Sequence, residues 1–479
     1  MKEKKLQIIV VACFVLVISG IVFLKTDFSN DEHYSDIIND NLYNSGEGLI
    51  AITGFICDYD EVLPNGGIIV RGSDIIWEGE GKDLLDIKDK LSSMKLLQTD
   101  DFIYPGLIDS HNHPDYNFLP KWKPQQLFNN RYEWASKTSY KKFMDPKRDL
   151  QKKRGFNVFF PKLAEVKDLL NGTTMTQGAR RLSALSGLVR NCDSYNGVKD
   201  DFISTSIKPL GGRELKRVDE IIENLDSGKV RKHIVHLAEG KDEESRQEFY
   251  EMQKLGLIRK ELVIIHGTAL KDKEFKKMSE IKIPLIWSPR SNMVLYGETT
   301  RVDKAINDGV KVALAPDWSL TGSENIREEL DYAIKVNKEQ LNSFFTDRQL
   351  FGMITKVPAD ILGFGDYLGL IEPGMKADII ITDKKLPDNP YKNIGMIKEK
   401  EINLVMINGR VYYGEPDYVS SLADPVKFEK IKVEGQNKLI DIAEDEKIYP
   451  YATQTFKQLM QEFKDAGYSK DILRIKVEF

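Results

Sequence analysis

The chain has 479 residues, of which 41% are hydrophobic and 30% charged, and a formal net charge of −5. This is an ordinary globular composition, long enough for two or three domains or one large barrel with additions, and the small negative charge argues against a nucleic-acid binder, which usually presents a strongly basic face. The three cysteines are Cys13, Cys57 and Cys192, and because Cys13 lies in an apolar N-terminal run, a disulfide framework is excluded and the fold must depend on burial of an apolar core.

The N-terminal residues predict a membrane anchor. Met1–Lys5 carry four charges, three of them positive, and Leu6–Leu24 then runs nineteen residues without a charge. A helix of that length spans a bilayer core of about 30 Å, and its basic flank predicts a cytoplasmic N-terminus with the rest of the chain on the extracytoplasmic side. We predict an uncleaved anchor at 1–28, with a cleaved signal or a lipoprotein attached at Cys13 as alternatives. The acidic segment 29–47 predicts a polar linker.

Short β-rich runs flank a longer middle section on both sides. These runs are Leu49–Thr53, Gly67–Arg71, Asp74–Trp77, Ala377–Thr382 and Ile402–Tyr413. Within the last of them, Asn408-Gly409 is typical of a tight hairpin turn. We predict that 48–103 and 366–416 together form one small composite β-sandwich domain.

The middle section alternates apolar strands with charged stretches of helical length. The eight candidate strands are Tyr104–Asp109, Thr173–Gln177, Leu188–Cys192, Phe202–Ser206, His233–Leu237, Leu262–His266, Ile283–Trp287 and Val310–Ala315. Eight parallel strands with intervening helices are the signature of the TIM barrel, so we predict an α/β fold with a (β/α)8 barrel over 104–365. The polar residues 417–479 predict a C-terminal helical extension.

Five of the six histidines lie on or beside these strands. His111 and His113 follow the first strand at a spacing that points both imidazoles to one side. His236 and His266 lie at the ends of later strands, and Asp317 follows the last. Because barrel active sites assemble at the carboxyl ends of the strands, these groups predict a metal site, and imidazole with carboxylate suits zinc, iron or manganese.

The motifs around these residues resemble those of the amidohydrolase superfamily, in its cytosine-deaminase and chlorohydrolase-like branch. The matching segments are Pro105–His113, which ends in His-Asn-His, His236–Glu239 (His-Leu-Ala-Glu), Ile265–Gly267, Trp287–Asn292 (Trp-Ser-Pro-Arg-Ser-Asn), Ala315–Asp317 and Gly369–Asp378. The resemblance extends from about Gly48 to Pro416 with the motifs in order. Two segments depart from the usual pattern of that branch, with Trp-Ser where cysteine is common and Ala-Pro in place of Gly-Thr.

The resemblance implies a metal-dependent hydrolase that acts on a non-peptide carbon–nitrogen bond, and an aminohydrolase of a heterocyclic amine in particular. One divalent ion, zinc or iron, would be held by four ligands, which are His111, His113, His236 and Asp317. Bound water at such an ion is acidic enough to form hydroxide near neutral pH. Asp317 would accept its proton, His266 would orient it, and Glu239 would pass a proton to the substrate nitrogen.

Two alternatives remain open at this stage. Lys208 occupies a position where other branches carry a carboxylated lysine that bridges two metals, which would favour a binuclear amidase or cyclic-amide hydrolase. A non-catalytic binding protein on the same fold is the other alternative. The expected partner is a small molecule, with no nucleic acid, and the sequence leaves a homo-oligomer open. The long loop 114–161 and the motif segment offer candidate substrate contacts, namely Trp122, Arg131, Tyr132, Trp134 and Asn292.

Overall fold

The computed structural model describes residues 48–88, 94–178, 188–194, 198–199, 212–443 and 451–479. Leu49–Phe479 form one unit of tertiary structure. Within the described residues, every helix is too short or too polar to span a bilayer. The predicted anchor at 1–28 and the predicted linker at 29–47 lie outside the described residues.

The strands of the described residues fall into three sheets. They are β1 Leu49–Cys57, β2 Val62–Arg71, β3 Asp74–Glu80, β4 Lys95–Pro105, β5 Leu107–Asp109, β6 Thr173–Thr176, β7 Arg190–Asn191, β8 Val198–Lys199, β9 Lys232–Leu237, β10 Leu262–His266, β11 Leu285–Trp287, β12 Val312–Leu314, β13 Ile379–Thr382, β14 Ile402–Ile407, β15 Arg410–Gly414, β16 Glu429–Val433, β17 Gln436–Ile440 and β18 Val477–Glu478.

The helices of the described residues lie mostly between the strands of the middle section. They are α1 Gly81–Lys88, α2 Arg131–Ser136, α3 Thr138–Phe143, α4 Asp145–Gln151, α5 Phe156–Leu170, α6 Gly212–Asp226, α7 Glu243–Lys254, α8 Asp272–Ile281, α9 Pro289–Tyr296, α10 Val302–Asn307, α11 Ile326–Gln340, α12 Asp347–Gly352, α13 Lys356–Leu362, α14 Pro390–Met396, α15 Pro416–Leu422, α16 Phe456–Asp465 and α17 Lys470–Leu473.

Strands from both flanks of the chain form one ten-stranded sheet, in the order β18-β16-β17-β15-β14-β13-β4-β1-β2-β3. Each of the five predicted β-rich runs lies on its strands. Asn408 and Gly409 have φ of 56° and 77°, the left-handed backbone that the predicted hairpin turn between β14 and β15 requires. Apolar side chains from early and late strands, among them Ile52 and Leu404, share one buried cluster, which explains why the flanks associate.

The C-terminal residues depart from the predicted helical extension at 417–479. Helices are present, but β16 and β17 form an antiparallel hairpin that pairs with β15 on one side and with β18 on the other. In β16 the buried Ile431 and Val433 alternate with the exposed Lys430 and Lys432, which is the two-residue period of a half-buried strand. The sequence-based prediction missed this strand because its lysines make the segment polar overall.

The middle section contains two parallel sheets, one with the order β5-β6-β7 and one with the order β12-β11-β10-β9-β8. The predicted strand at Phe202–Ser206 lies outside the described residues, and the other predicted strands coincide at least in part with strands of the structure. The section is therefore a mixed α/β structure with parallel strands, as predicted.

The first predicted strand, Tyr104–Asp109, is in fact two strands that belong to different sheets. Tyr104 pairs with β13 in the ten-stranded sheet, whereas Ile108 pairs with β6. The chain crosses between the sheets at Gly106, where a Cβ atom would lie 2.1 Å from Oγ1 of Thr174. Only glycine fits at this crossing. The sequence predicted one continuous strand because its apolar pattern does not show that the chain changes sheet.

Side chains from both parallel sheets meet in one apolar cluster. It includes Ile108, Met175, Ile234, Ile265, Ile286 and Ala313 from six different strands, all of them essentially inaccessible to solvent. Full burial of one such isoleucine contributes roughly 1.5–3 kcal/mol. A parallel bridge between Asn112 and Asp317 also joins the ends of β5 and β12. The carboxyl ends of the first and last strands of the section are therefore neighbours.

Candidate metal centre and active site

Polar side chains lie just beyond the carboxyl ends of four parallel strands. The chain leaves β5 at Asp109 and reaches His111 and His113, while His236 lies on β9 and His266 ends β10. Asp317 follows β12, and its backbone N–H donates to the His111 carbonyl at 3.2 Å. The parallel arrangement brings these strand ends to one edge, so that residues more than 200 positions apart in sequence become neighbours.

These side chains form a close group of three imidazoles and one carboxylate. Ring nitrogens of His111, His236 and His266 and a carboxylate oxygen of Asp317 all lie within 4.8 Å of one another. His113 also belongs to the group, because the Nε2 atoms of His111 and His113 each lie 3.4 Å from Oδ1 of Asp317. The structure thus brings together all four predicted ligands and adds His266, which the sequence places in an orienting role.

The backbone is strained where two of these residues are positioned. His266 has φ of 68° and Asp317 has φ of 66°, a left-handed conformation that side chains other than glycine and asparagine rarely adopt. Such strain costs of the order of 1–3 kcal/mol per residue and concentrates at functional sites. The left-handed backbone turns each of these two side chains from the end of its strand towards the group of candidate ligands.

Glycine is required just beyond the end of β6, where the backbone lies against the segment that carries His111 and His113. Gly178 follows β6 with φ of 105°, and a Cβ atom at this position would lie 1.8 Å from the carbonyl oxygen of Asn112. Asn112 separates His111 from His113, so any side chain at position 178 would displace the segment that carries both histidines.

Gln177 fixes the tautomer of His111. Its amide nitrogen donates to Oδ1 of Asp193 at 2.9 Å, which leaves its amide oxygen 3.0 Å from Nδ1 of His111. Because that oxygen can only accept, Nδ1 of His111 carries the proton and Nε2 presents its lone pair towards Asp317. This is the form of imidazole that coordinates a metal, with an outer partner of the kind that metal-bound histidines have.

Ser291 holds the other oxygen of the carboxylate. Its hydroxyl donates to Oδ2 of Asp317 at 2.7 Å, so that Oδ1 is the oxygen that faces the histidines. Burial raises the pKa of Asp317, but the neighbouring imidazoles of His111 and His113 outweigh this effect and hold the pKa well below the usual value. Burial and the neighbouring His111 lower the pKa of His236 well below its usual range. Neutral imidazoles around an ionised carboxylate are a donor set that fits a divalent cation.

Glu239 lies beside this group with its own set of partners. The Tyr296 hydroxyl donates to its Oε1 at 2.7 Å, and its Oε2 lies 3.8 Å from Nε2 of His266 and 4.0 Å from Nη1 of Arg131. Burial raises the pKa of Glu239 to about 7, although Arg131 opposes the shift. Burial lowers the pKa of His266 to about 4. A carboxyl group that titrates near neutral pH is suited to proton transfer.

Two of the predicted substrate contacts are buried within the protein. Arg131 is 5% exposed, and its guanidinium donates to the His236 carbonyl at 3.2 Å and to Glu248 at 3.3 Å. Glu248 also accepts from Tyr132 and from the backbone N–H of residue 238. Asn292 is fully buried, and its amide nitrogen lies 3.4 Å from the Thr299 and Thr300 hydroxyls. Arg131 and Asn292 therefore support the site residues from within the protein.

The predicted aromatic contacts belong to a larger cluster. Trp134 lies between Trp122 and Trp318, with ring centroids 6.4 and 5.7 Å away, and Trp318 lies 5.7 Å from the ring of His113. Tyr140 packs against both Trp134 and Trp318, at 5.0 and 6.1 Å. The long loop thus packs aromatic rings against Trp318, which itself lies beside His113. Lys208, the candidate bridging residue, lies outside the described residues.

The sequence did not identify the outer partners Gln177, Asp193, Tyr296 and Trp318. Gln177 is the last residue of a predicted strand, and this position is the one signal that could have identified it. Ser291 was part of a quoted motif but received no role. Tyr296 and Trp318 carried no recognisable signal, because only the fold brings them next to Glu239 and His113.

Comparison with known proteins identifies the family of this site. The sequence model of the amidohydrolase family matches residues 228–412, which include His236, Glu239, His266 and Asp317. Most of the candidate site residues therefore lie in a segment that is similar to the amidohydrolase family.

Among similar sequences are two proteins named 5-methylthioadenosine/S-adenosylhomocysteine deaminase. The one from Caldanaerobacter subterraneus is 27% identical over 241 residues, which cover 46% of this chain and 54% of that protein. The chain therefore matches about half the length of this relative. The one from Thermoanaerobacter pseudethanolicus is 23% identical over 403 residues, covering 73% of this chain and 89% of that protein.

The fold is also similar to that of a solved structure, an adenosine deaminase from Xanthomonas campestris with bound zinc. The TM-score is 0.60 and the sequence identity 15%, and the match covers 76% of this chain and 93% of that one. At this identity the likeness concerns the fold.

Proposed function

We propose that this amidohydrolase is a metal-dependent aminohydrolase, which replaces the exocyclic amino group of a heterocyclic amine with oxygen from water and releases ammonia. The observation that carries the proposal is the convergence of His111, His113, His236, His266 and Asp317, with Glu239 at their edge. The relatives named as deaminases support the same reaction class.

We infer that the parallel strands of the middle section close into one (β/α)8 barrel. The two parallel sheets contain three and five strands, and the Asn112–Asp317 bridge joins their outer strands β5 and β12. The shared apolar cluster supports the same closure, because its side chains come from strands of both sheets. The proposed barrel spans 104–365, and the composite domain spans 48–103 and 366–416, with β16, β17 and β18 added to its sheet.

We infer that the site binds one divalent ion, with zinc preferred over iron. His111, His113, His236 and Asp317 would hold it, and the tautomer imposed on His111 by Gln177 fits this role. A divalent ion in such a site lowers the pKa of bound water from about 15.7 towards about 7. His266 would then serve as an orienting group rather than a ligand.

The remaining steps belong to the side chains. Asp317, with its second oxygen held by Ser291, would accept a proton at Oδ1 from the attacking water. His266 would orient that water through Nε2. Glu239 would deliver a proton to the ring nitrogen, regain a proton from the hydroxyl group added to the ring and pass it to the departing amine, and its pKa near 7 allows it to give and regain that proton. The proton taken up by Asp317 would return to Glu239 after the products leave.

The aromatic cluster supports a flat substrate. Trp318 lies beside His113, and Trp134 and Tyr140 pack against Trp318, so a planar heterocycle over the metal centre would meet this cluster of rings. We therefore propose an adenine-type ring as the first class to test. The purified protein, loaded with zinc, should release ammonia from 5-methylthioadenosine, S-adenosylhomocysteine, adenosine or guanine. Simple amides should release no ammonia and cyclic amides should not undergo ring opening, whereas ring opening of cyclic amides alone would favour the binuclear amidase.

We propose that the enzyme is anchored to a membrane by residues 1–28, with the catalytic domain on the extracytoplasmic side. A chain that begins at Gly48 should then be soluble, folded and able to bind zinc, since 29–47 separates the anchor from the first strand. Sedimentation after expression and circular dichroism would measure this. Aggregation of the shortened chain, when the full chain in detergent is folded, would contradict the boundary.

A further inference from the structure

The C-terminal residues contact the loops that carry the metal-binding side chains. Arg474 follows α17 with φ of 55°, and its guanidinium reaches two separate loops. It donates to the backbone carbonyls of Asn117 and Leu119, which follow His113. It also donates to the Ser319 hydroxyl at 2.9 Å, two residues beyond Asp317.

The same guanidinium belongs to a cluster of charges around Glu324. Nε of Arg474 lies 2.7 Å from Oε2 of Glu324, and Lys121 and Lys167 lie 3.0 and 3.6 Å from the same carboxylate. Lys167 also donates to the Asn117 carbonyl at 2.8 Å. The Glu324 side chain is only 19% exposed, so these interactions are little screened by solvent.

The cluster links the two ends of the parallel strand array. Asn117 and Leu119 follow β5 in the loop that begins with His111 and His113, and Ser319 follows β12 in the loop that begins with Asp317. A planar guanidinium presents several donors in a fixed geometry, so one side chain can hold both loops at a set separation.

We propose that Arg474 is a positioning residue for the metal centre, through which the C-terminal segment sets the distance between the histidine pair and Asp317. This inference rests on the proposed metal site. Arg474 contacts neither metal nor substrate, and its effect passes through the two loops. It gives residues 417–479 a role in metal retention that the polar composition of this segment did not reveal.

The test is the zinc affinity of Arg474→Met in the full chain, measured by competition with a chelating dye. Methionine keeps an unbranched side chain of similar reach and removes every donor. We expect zinc to bind about 10-fold more weakly, the lower end of the range for losing an outer partner of a metal site. Arg474→Lys, which keeps one charged group, should fall between methionine and arginine. The matched control is Lys476→Met, which removes an exposed ion pair with Glu434 in the same segment and should leave zinc affinity unchanged.

Thermal unfolding of the metal-free proteins separates positioning from general stability. A lower unfolding temperature with unchanged zinc affinity in Arg474→Met would overturn the proposal, because a purely structural role predicts that result. If Arg474→Met does not fold, the zinc affinity of Ser319→Ala provides the test instead. This variant removes one hydrogen bond beside Asp317 and should weaken zinc binding by about threefold, and wild-type affinity would overturn the inference. Absence of zinc binding by the wild-type protein would instead contradict the proposed function.

Discussion

Asp317→Asn and His111→Ala should each empty the metal site while leaving the protein folded. Asparagine tolerates the left-handed backbone found at position 317, so this variant removes the charge without adding strain. Loss of a direct ligand should weaken zinc binding by more than the roughly 10–100-fold typical of losing an outer partner. Elemental analysis of the dialysed protein should give one zinc per chain for the wild type and almost none for either variant, with unchanged circular dichroism.

His113→Asn and His266→Asn decide between the two arrangements that the geometry allows. His266 lies within the closest group of donors, whereas His113 reaches Asp317 from a more exposed position. We expect His113→Asn to lose zinc and His266→Asn to retain it while losing activity. Loss of zinc in proportion to activity in His266→Asn would make His266 a ligand. Two zinc ions per chain, with one lost on Lys208→Ala, would establish the binuclear alternative.

Glu239→Gln should reduce turnover by about 10²–10⁴-fold, the usual contribution of a general acid or base, with metal content unchanged. Glutamine keeps the shape of the side chain and can still accept the hydrogen bond from Tyr296, but it has no proton that titrates near neutral pH. Steady-state kinetics on the substrate found by the ammonia screen should show the loss in kcat as well as in kcat/KM.

The control for this variant is Glu243→Gln, at an exposed glutamate in the first turn of α7 that pairs with Arg246. It lies four residues from Glu239 and should keep wild-type kinetics, because a surface ion pair contributes little. Near-native turnover by Glu239→Gln would remove Glu239 from the proton-transfer role and leave its raised pKa as a consequence of burial alone.

The sequence could predict which side chains lie together because these residues are tied to strand ends. His111, His236 and Asp317 were assigned from their places after apolar runs, and the carboxyl ends of parallel strands meet at one edge. The strands β9 and β10 could be predicted from runs of apolar residues alone. The family resemblance added the roles of Glu239 and His266, and the structure brings both side chains next to the predicted ligands.

The sequence could not predict contacts that depend on distant parts of the chain. The Gln177–His111 and Ser291–Asp317 hydrogen bonds join residues 66 and 26 positions apart. Arg131 was predicted as a substrate contact in a long loop, and the sequence could not show that the fold buries it against His236 and Glu248. Arg474 lies in a segment that carried no catalytic signal, because its partners are defined only by the tertiary structure.

The most direct test of the account is a zinc titration of the chelator-treated protein, followed by ammonia release from the best adenine-type substrate. The account predicts that activity is absent without metal, rises in proportion to bound zinc and reaches its maximum at one zinc per chain. Ammonia release that persists in the metal-free protein, or that requires two zinc ions per chain, would contradict it.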